Sequence, residues 1–424
     1  MTIVAGIDFG TSNSSVSYIQ NDSKAKFVEL EKNKITMPTA LFFSGENRNN
    51  ILFGSEAMQA FMDGECGRFM RSIKRILGSS LMNSGTYVNG QYMEFNSIIG
   101  TFIGHLKMKL EEYTECPITD VVIGRPVTFC NNNEKDDAEA ERQLKNIAHK
   151  SGFKNVEFQF EPIAAAFAHE RNIIGELLAC VVDIGGGTSD FTIIRIGEKL
   201  RDKRERSSDI LGNTGIRIGG NDFDKNLSIV GFMPELGRGT THGIFGTTVP
   251  VAVYSELSEW SSINFAYVPK TKHMVIDILR NAHDKEKYSR LLDLLEHERG
   301  HELLQIVEQC KIELTNNKSV IKILGCVKDK PQVVLTSDLF NQCINSDVVK
   351  IRKSMNEVLI QADVPADRIE LVILTGGSTE VPAIKQVVRD EFPQAKFLET
   401  NKLTSVGEGL AYDSYRRYNV GLWG

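Results

Sequence analysis

Apolar and β-branched residues fall in short runs that recur through the chain and are broken by glycine. Residues 3–16, IVAGIDFGTSNSSV, read strand, aspartate, glycine, polar turn, strand. Residues 182–194, VDIGGGTSDFTII, repeat that order around Gly185, Gly186 and Gly187. Residues 1–36 are predicted to form a strand meander, with further strands at 121–129, returning to the same lobe, and at 155–160. A buried strand at 371–375 runs into Gly376 and Gly377; Ser378 or Thr379 caps a helix with Pro382 in its first turn. Helices are predicted near 56–77, 98–113, 133–151, 162–171 and 406–418, with one or two more over 284–314. In the charged 133–151 segment, Leu144, Ile147 and Ala148 form one buried face. The segment 231–275 is rich in Gly, Thr, Pro and aromatics, shows no clean period and receives no assignment.

The two glycine hairpins are the strongest signal. Each places an aspartate just before its glycine: Asp8-Phe9-Gly10-Thr11 answers Asp183-Ile184-Gly185-Gly186. A lone glycine turn is weak evidence, but a matched pair implies an internal duplication. Glycines with positive φ would turn backbone N–H groups toward one point, a setting that suits phosphate. The expected fold is α/β, with two duplicated lobes of mixed sheet pinching one nucleotide. Lobe I covers 1–174 with an insertion at 37–116; lobe II covers 175–404 with an insertion at 219–315; residues 405–424 return to lobe I.

Composition narrows the classes. The 424 residues are 41% hydrophobic and 25% charged, as in ordinary globular chains large enough for several units. A net charge of −6 gives no reason to expect nucleic acid or an anionic membrane. Cys66, Cys116, Cys130, Cys180, Cys310, Cys326 and Cys343 form no CxxC pair, so neither a zinc site nor a disulfide framework is expected. The N-terminus has no signal-peptide pattern and no run is apolar enough to span a bilayer, so a cytoplasmic location is expected.

The motifs resemble the actin-like ATPase fold shared by actin, sugar kinases and the DnaK-type seventy-kilodalton heat-shock chaperones. GIDFGTSNSSV is similar to the chaperones' first phosphate loop, and VVDIGGGTSDFTII to their second. SIKRILG (72–78), FEPIAAAFAHE (160–170), RIGGNDFDKNL (217–227) and LTGGSTEVPAI (374–384) resemble their other family elements, in family order. Actin and sugar kinases lack the IKRxxG and GGxDFD elements. Length and a divergent second insertion look most like the short YegD-like branch.

The resemblance implies ATP or ADP with Mg²⁺. Gly10, Thr11, Ser12, Asn13 and Gly185, Gly186, Gly187 and Thr188 would hold phosphates, with Asp8 and Asp183 meeting magnesium mostly through water. Lys74 would reach the γ-phosphate and the attacking water; a solvated lysine is the alternative outside this motif. Glu161 would orient water or metal, or simply complement a helix N-terminus. Asp183 and Thr188 join Lys74 and Glu161 as catalytic candidates. Gly219, Gly220, Glu308, Lys311, Gly376, Gly377, Ser378 and Glu380 would line the nucleoside side. Pro126 resembles a proline that relays nucleotide state, or is a strand-end breaker.

Departures from the pattern are as informative. Glu380 and Ile312 stand where adenine-stacking arginines are usual, Glu134-Lys135 where a relay arginine is usual, and Leu403 where an aspartate is usual. The sequence ends at RRYNVGLWG, so no peptide-binding domain of the family's kind is expected; Trp423 is read as a packing residue or a docking tail. Retention of Lys74, Glu161, Asp8 and Asp183 favours a slow ATPase whose lobe closure controls a protein partner. A pseudo-ATPase scaffold and a small-metabolite kinase are the alternatives. A monomer is expected, with 231–275 either partner-specific or surface padding.

Overall fold

The computed structural model describes residues 3–21, 24–47, 50–130, 134–201, 203, 205–248, 250–399 and 404–418. Leu403 and Trp423 lie outside the described residues. Two compact units emerge: Met1–Gly219 with Lys350–Glu380 and Ile384–Gly424, and Gly220–Val349 with Val381–Ala383.

The two largest sheets described in the first unit are built to one plan. Strands β1 (Ile3–Phe9), β2 (Asn13–Gln20), β3 (Lys26–Phe27), β4 (Asp120–Arg125) and β5 (Asn155–Phe160) lie in the order β5-β4-β1-β2-β3, with Thr36–Pro38 also paired to β2. Strands β6 (Glu176–Ile184), β7 (Ser189–Gly197), β8 (Ile210–Ile216), β9 (Leu371–Thr375) and β10 (Lys396–Leu398) lie in the order β8-β7-β6-β9-β10. In each sheet the central strand pairs antiparallel with its hairpin mate and parallel with the strand on its other side. The duplication suggested by the glycine hairpins is therefore a duplication of topology.

β1 and β6 are apolar on both faces because both faces are covered. The helix Ser405–Tyr418 lies so close to β1 that a Cβ on Gly6 would stand 2.6 Å from the Ala411 nitrogen. The same helix crosses the helix Glu161–Glu170 at Gly409, where a Cβ would fall 1.6 Å from the Ala164 carbonyl oxygen. Val122, Ala164, Val181, Ile194, Ile373 and Leu410 form one core with contributions from both sheets. A second core joins β1 and β2 to the helix Phe95–Thr114 through Ile7, Phe9, Phe102 and Leu106.

Two expectations change. The helix near 56–77 ends at Met62, and Gly67–Arg71 is instead a strand paired with Ala40–Ser44. Gly64, with φ of 73°, turns the chain out of the helix. Phe69 and Met70 are then buried in strand register opposite Phe42 and Leu41, so sheet packing overrides helical propensity. The strand expected over 121–129 stops at Arg125, because Pro126 has no N–H to give the ladder.

The second unit is mostly helical. Residues 284–314 form two helices, Lys285–Glu296 and Gly300–Leu314, separated at Glu298, which has φ of 54°. The unassigned segment contains Met233–Leu236, a two-residue strand pair Thr241–His242 and Thr247–Thr248, and Val251–Leu257, Ile263–Tyr267 and Pro269–Arg280. Most of these elements are too short to impose a period. Tyr254 and Tyr288 are buried and donate hydrogen bonds to the carbonyl oxygens of Leu236 and Thr240.

Candidate functional site

The site is built on the carboxyl ends of β1 and β6. Register pairs Asp8 with Ser15 across the first hairpin and Asp183 with Asp190 across the second. The Gly185 N–H donates to the Thr188 carbonyl at 3.0 Å and closes the second turn. Thr39 fixes the first: its N–H donates to the Ser12 carbonyl at 2.9 Å and its hydroxyl to the Gly10 carbonyl at 2.8 Å.

The glycines work differently from the expectation. None of Gly10, Gly185, Gly186 and Gly187 is among the residues with positive φ. Gly10 and Gly187 serve close approach, whereas the Cβ position of Gly185 is 4.0 Å from the Thr188 carbonyl oxygen and has room. A Cβ on Gly10 would lie 2.2 Å from the Asn13 carbonyl oxygen. A Cβ on Gly187 would lie 2.7 Å from the Thr11 hydroxyl, so the two hairpins touch through these residues. Gly219 backs the second hairpin, with its Cβ position 2.7 Å from the Gly187 nitrogen. Positive φ is required at Gly376 (78°), whose Cβ position is 2.3 Å from the Ile184 carbonyl oxygen. Ser378 donates to the Gly185 carbonyl at 2.8 Å, tying the third glycine element to the second hairpin.

Lys74 is on the short turn Ile73–Ile76, entered through Ser72 with φ of 58°. Its side chain is 6% exposed, and its ammonium donates to Glu161 Oε1 at 2.6 Å. The solvated-lysine alternative does not hold. Glu161 opens the helix Glu161–Glu170, with Pro162 in the first turn, and reaches over Gly124. A Cβ at Gly124 would stand 3.2 Å from Glu161 Cγ, so a larger residue there would press on the pair.

Three aspartates complete the cluster. Burial first, and then the Glu161 charge, push Asp8 up to about 7, with Lys74 opposing. Burial, with Glu161, Asp190 and Asp8, holds Asp183 well above the usual carboxylate range. Asp190 is pushed up to about 7 by burial and Glu161, while hydrogen bonds from Thr188 and from the Val127 N–H at 2.7 Å pull it back. Its Oδ2 is buried and unpartnered. Four carboxyl groups thus share one lysine, an arrangement that favours a cation or a retained proton.

Sequence reasoning passed over Asp190, although a four-residue turn puts it directly opposite Asp183. It also passed over Arg125, whose guanidinium lies 5.1 Å from both the Phe129 and Phe160 ring centres and pairs with Asp137 and Glu141. No motif flagged it, since its partners come from three separate elements.

Gly220, Glu308 and Lys311 belong to the second unit. There Lys311 donates to Asp224 Oδ2 at 2.8 Å and to the Gly220 carbonyl at 3.2 Å. Ile312 is 57% exposed. In the first unit Gly377 and Glu380 are exposed, and the Glu380 carboxylate is held by Lys385 at 2.8 Å.

Two sheets of one strand order, each opening on a glycine hairpin preceded by aspartate, define the actin-like ATPase fold. The family model described as Hsp70 protein matches residues 4–236 and 272–414, and the chain belongs to the Hsp70 family. It is 26% identical over 417 residues to the chaperone protein DnaK of Thermosipho melanesiensis, covering 96% of this chain and 57% of that protein. It is likewise 26% identical to the DnaK of Thermosipho africanus, and 24% identical over 396 residues to that of Mycoplasmopsis agalactiae. The chain thus spans little more than half the length of these relatives. Among the described residues no helix is long and apolar enough to cross a membrane.

Proposed function

We propose that this chain binds ATP with hydrated magnesium and hydrolyses it slowly to ADP and phosphate. The observation that carries this reading is the buried Lys74–Glu161 pair set among Asp8, Asp183 and Asp190. Such a cluster is unfavourable alone and fits a divalent cation. Among the described residues no three His, Cys, Asp or Glu side chains are arranged to chelate an ion directly. Asp8 and Asp183 therefore suit an ion that keeps its water shell, as magnesium does.

Each residue then has a task. The hydroxyls of Thr11, Ser12 and Thr188 and the backbone of both hairpins take phosphate oxygens. Lys74 neutralises charge that develops on the transferred group, and Glu161 orients the attacking water. Asp190, unpartnered at Oδ2 and pushed up to about 7, receives in its ionised form the proton that water gives up. A bound magnesium would supply charge neutralisation at the phosphates.

Nucleotide state is proposed to be read by a separate protein through the insertions 37–116 and 219–315. One observation favours a second reading, a scaffold that binds nucleotide without turnover: Glu380 is committed to Lys385 rather than free for a base. Calorimetric titration with ADP and with ATP, with and without magnesium, tests the primary reading. Magnesium-dependent binding of both supports it; no binding of either sinks it.

A further inference from the structure

The Hsp70 family match passes over residues 237–271. His242, Thr247, Thr248 and Pro250 from this stretch, with the helix Pro269–Arg280 and Asn281, wall an open cavity of about 890 Å³ in the second unit, a volume usual for a ligand site. Its apolar wall is Met274, Ile278 and Pro250. Its basic wall is Lys270, His242 and His273. The one carboxylate in the lining, Asp277, is held by Arg280 at 2.9 Å. Lys270 has no carboxylate partner among the described residues. With the histidines neutral and Asp277 held by Arg280, Lys270 is the one unpaired charge of the lining among the described residues.

Beside the cavity runs a strand edge. Thr247–Thr248 pairs on one side with Thr241–His242, and no strand among the described residues pairs on its other side. Both threonines are exposed. At the hairpin tip, between Gly243 (φ 67°) and Gly246 (φ 63°), Ile244 and Phe245 are 98% and 96% exposed. Nothing in nucleotide chemistry asks for such a tip, and apolar exposure of this kind marks an interaction site.

We propose that the hairpin over residues 241–248 and the helix Pro269–Arg280 form a docking site for an extended peptide segment of a partner protein that carries a carboxylate beside an apolar side chain. The segment adds as a strand to the Thr247–Thr248 edge and exchanges backbone hydrogen bonds with it. Its carboxylate meets Lys270 and His273, and its apolar side chain covers Met274 and Ile278. Ile244 and Phe245 close over it. The open strand edge is what favours peptide over lipid, since a lipid headgroup has no use for a row of backbone donors and acceptors. This site does not rest on ATP turnover, and it can stand if the hydrolysis reading falls.

The test is panning of a random heptapeptide library against the full chain without nucleotide, followed by fluorescence anisotropy with the labelled consensus peptide. The expected consensus places Asp or Glu next to Leu, Ile, Val or Phe. Lys270→Glu with His273→Glu weakens binding by about tenfold or more, the scale of one lost charge-assisted hydrogen bond. Phe245→Ser also weakens it. All three side chains are exposed, so folding is preserved, and circular dichroism verifies that. A consensus without acidic residues, or affinity unchanged in these variants, overturns the proposal. So does binding to phosphatidylglycerol vesicles, or a dimer abolished by Phe245→Ser, if no peptide is enriched.

Discussion

Replacing Asp8 with asparagine stabilises the metal-free chain at alkaline pH. Burial and the Glu161 charge raise the Asp8 carboxyl from 3.8 to about 7 in the folded state. The difference, about 7 minus 3.8, is roughly 3 units, and at about 1.4 kcal/mol per unit its ionisation costs about 4 kcal/mol. Asp8 keeps part of its surface in solvent, and screening halves the working figure to about 2 kcal/mol. The sign follows from proton binding. The folded chain holds this proton more tightly than the unfolded chain does. Stability therefore falls as pH rises above about 4, and the loss is complete above about 7. Asparagine carries no such charge. At roughly 1 °C per kcal/mol for a chain of 424 residues, Asp8→Asn raises Tm by about 2 °C near pH 8, and the gain fades toward pH 4. The assay is thermal unfolding in EDTA across that pH range. A gain independent of pH, or a lower Tm near pH 8, refutes the reasoning. Magnesium with ADP should reverse the order, because the wild type then has a partner for the charge.

Other perturbations test other parts of the structure. Gly376→Ala forces a side chain into φ of 78° and against the Ile184 carbonyl, and costs about 2–4 kcal/mol in urea unfolding. Arg206→Ala leaves Glu170 buried without its cation and Asp209 with only Lys203 at 3.6 Å, and costs about 3–5 kcal/mol in the same assay. Glu380→Arg with Ile312→Arg restores the two arginines usual in the family pattern and tightens ATP by roughly 1–2 kcal/mol by calorimetry. No gain in a folded double variant rejects a stacking role there.

Much of the site was legible because its chemistry is local in sequence. Aspartate, glycine and flanking β-branched runs mark both hairpins, and the strand orders around β1 and β6 repeat as duplication requires. Lys74 was legible only through its motif; the residues themselves read as a helix, and the left-handed Ser72 that ends that possibility carries no sequence mark. The strand Gly67–Arg71 was hidden because its partner, Ala40–Ser44, is distant in the chain. The glycines were read for torsional freedom, whereas at Gly10 and Gly187 crowding by Asn13 and Thr11 is what excludes a side chain. Asp190 was missed because its significance lies in burial and in three other carboxyl groups, which only the folded chain assembles. The segment 231–275 stayed unreadable because its helices and strands are held by contacts such as Tyr254 to Leu236 rather than by any repeating pattern.

The most direct test of the central claim is single-turnover hydrolysis of ATP, with phosphate release followed for wild type, Lys74→Ala and Glu161→Ala. The account predicts slow magnesium-dependent release by the wild type. It predicts none above background from either variant, with ADP affinity largely retained in both. Release at the same rate from all three proteins, or release indifferent to magnesium, would contradict it.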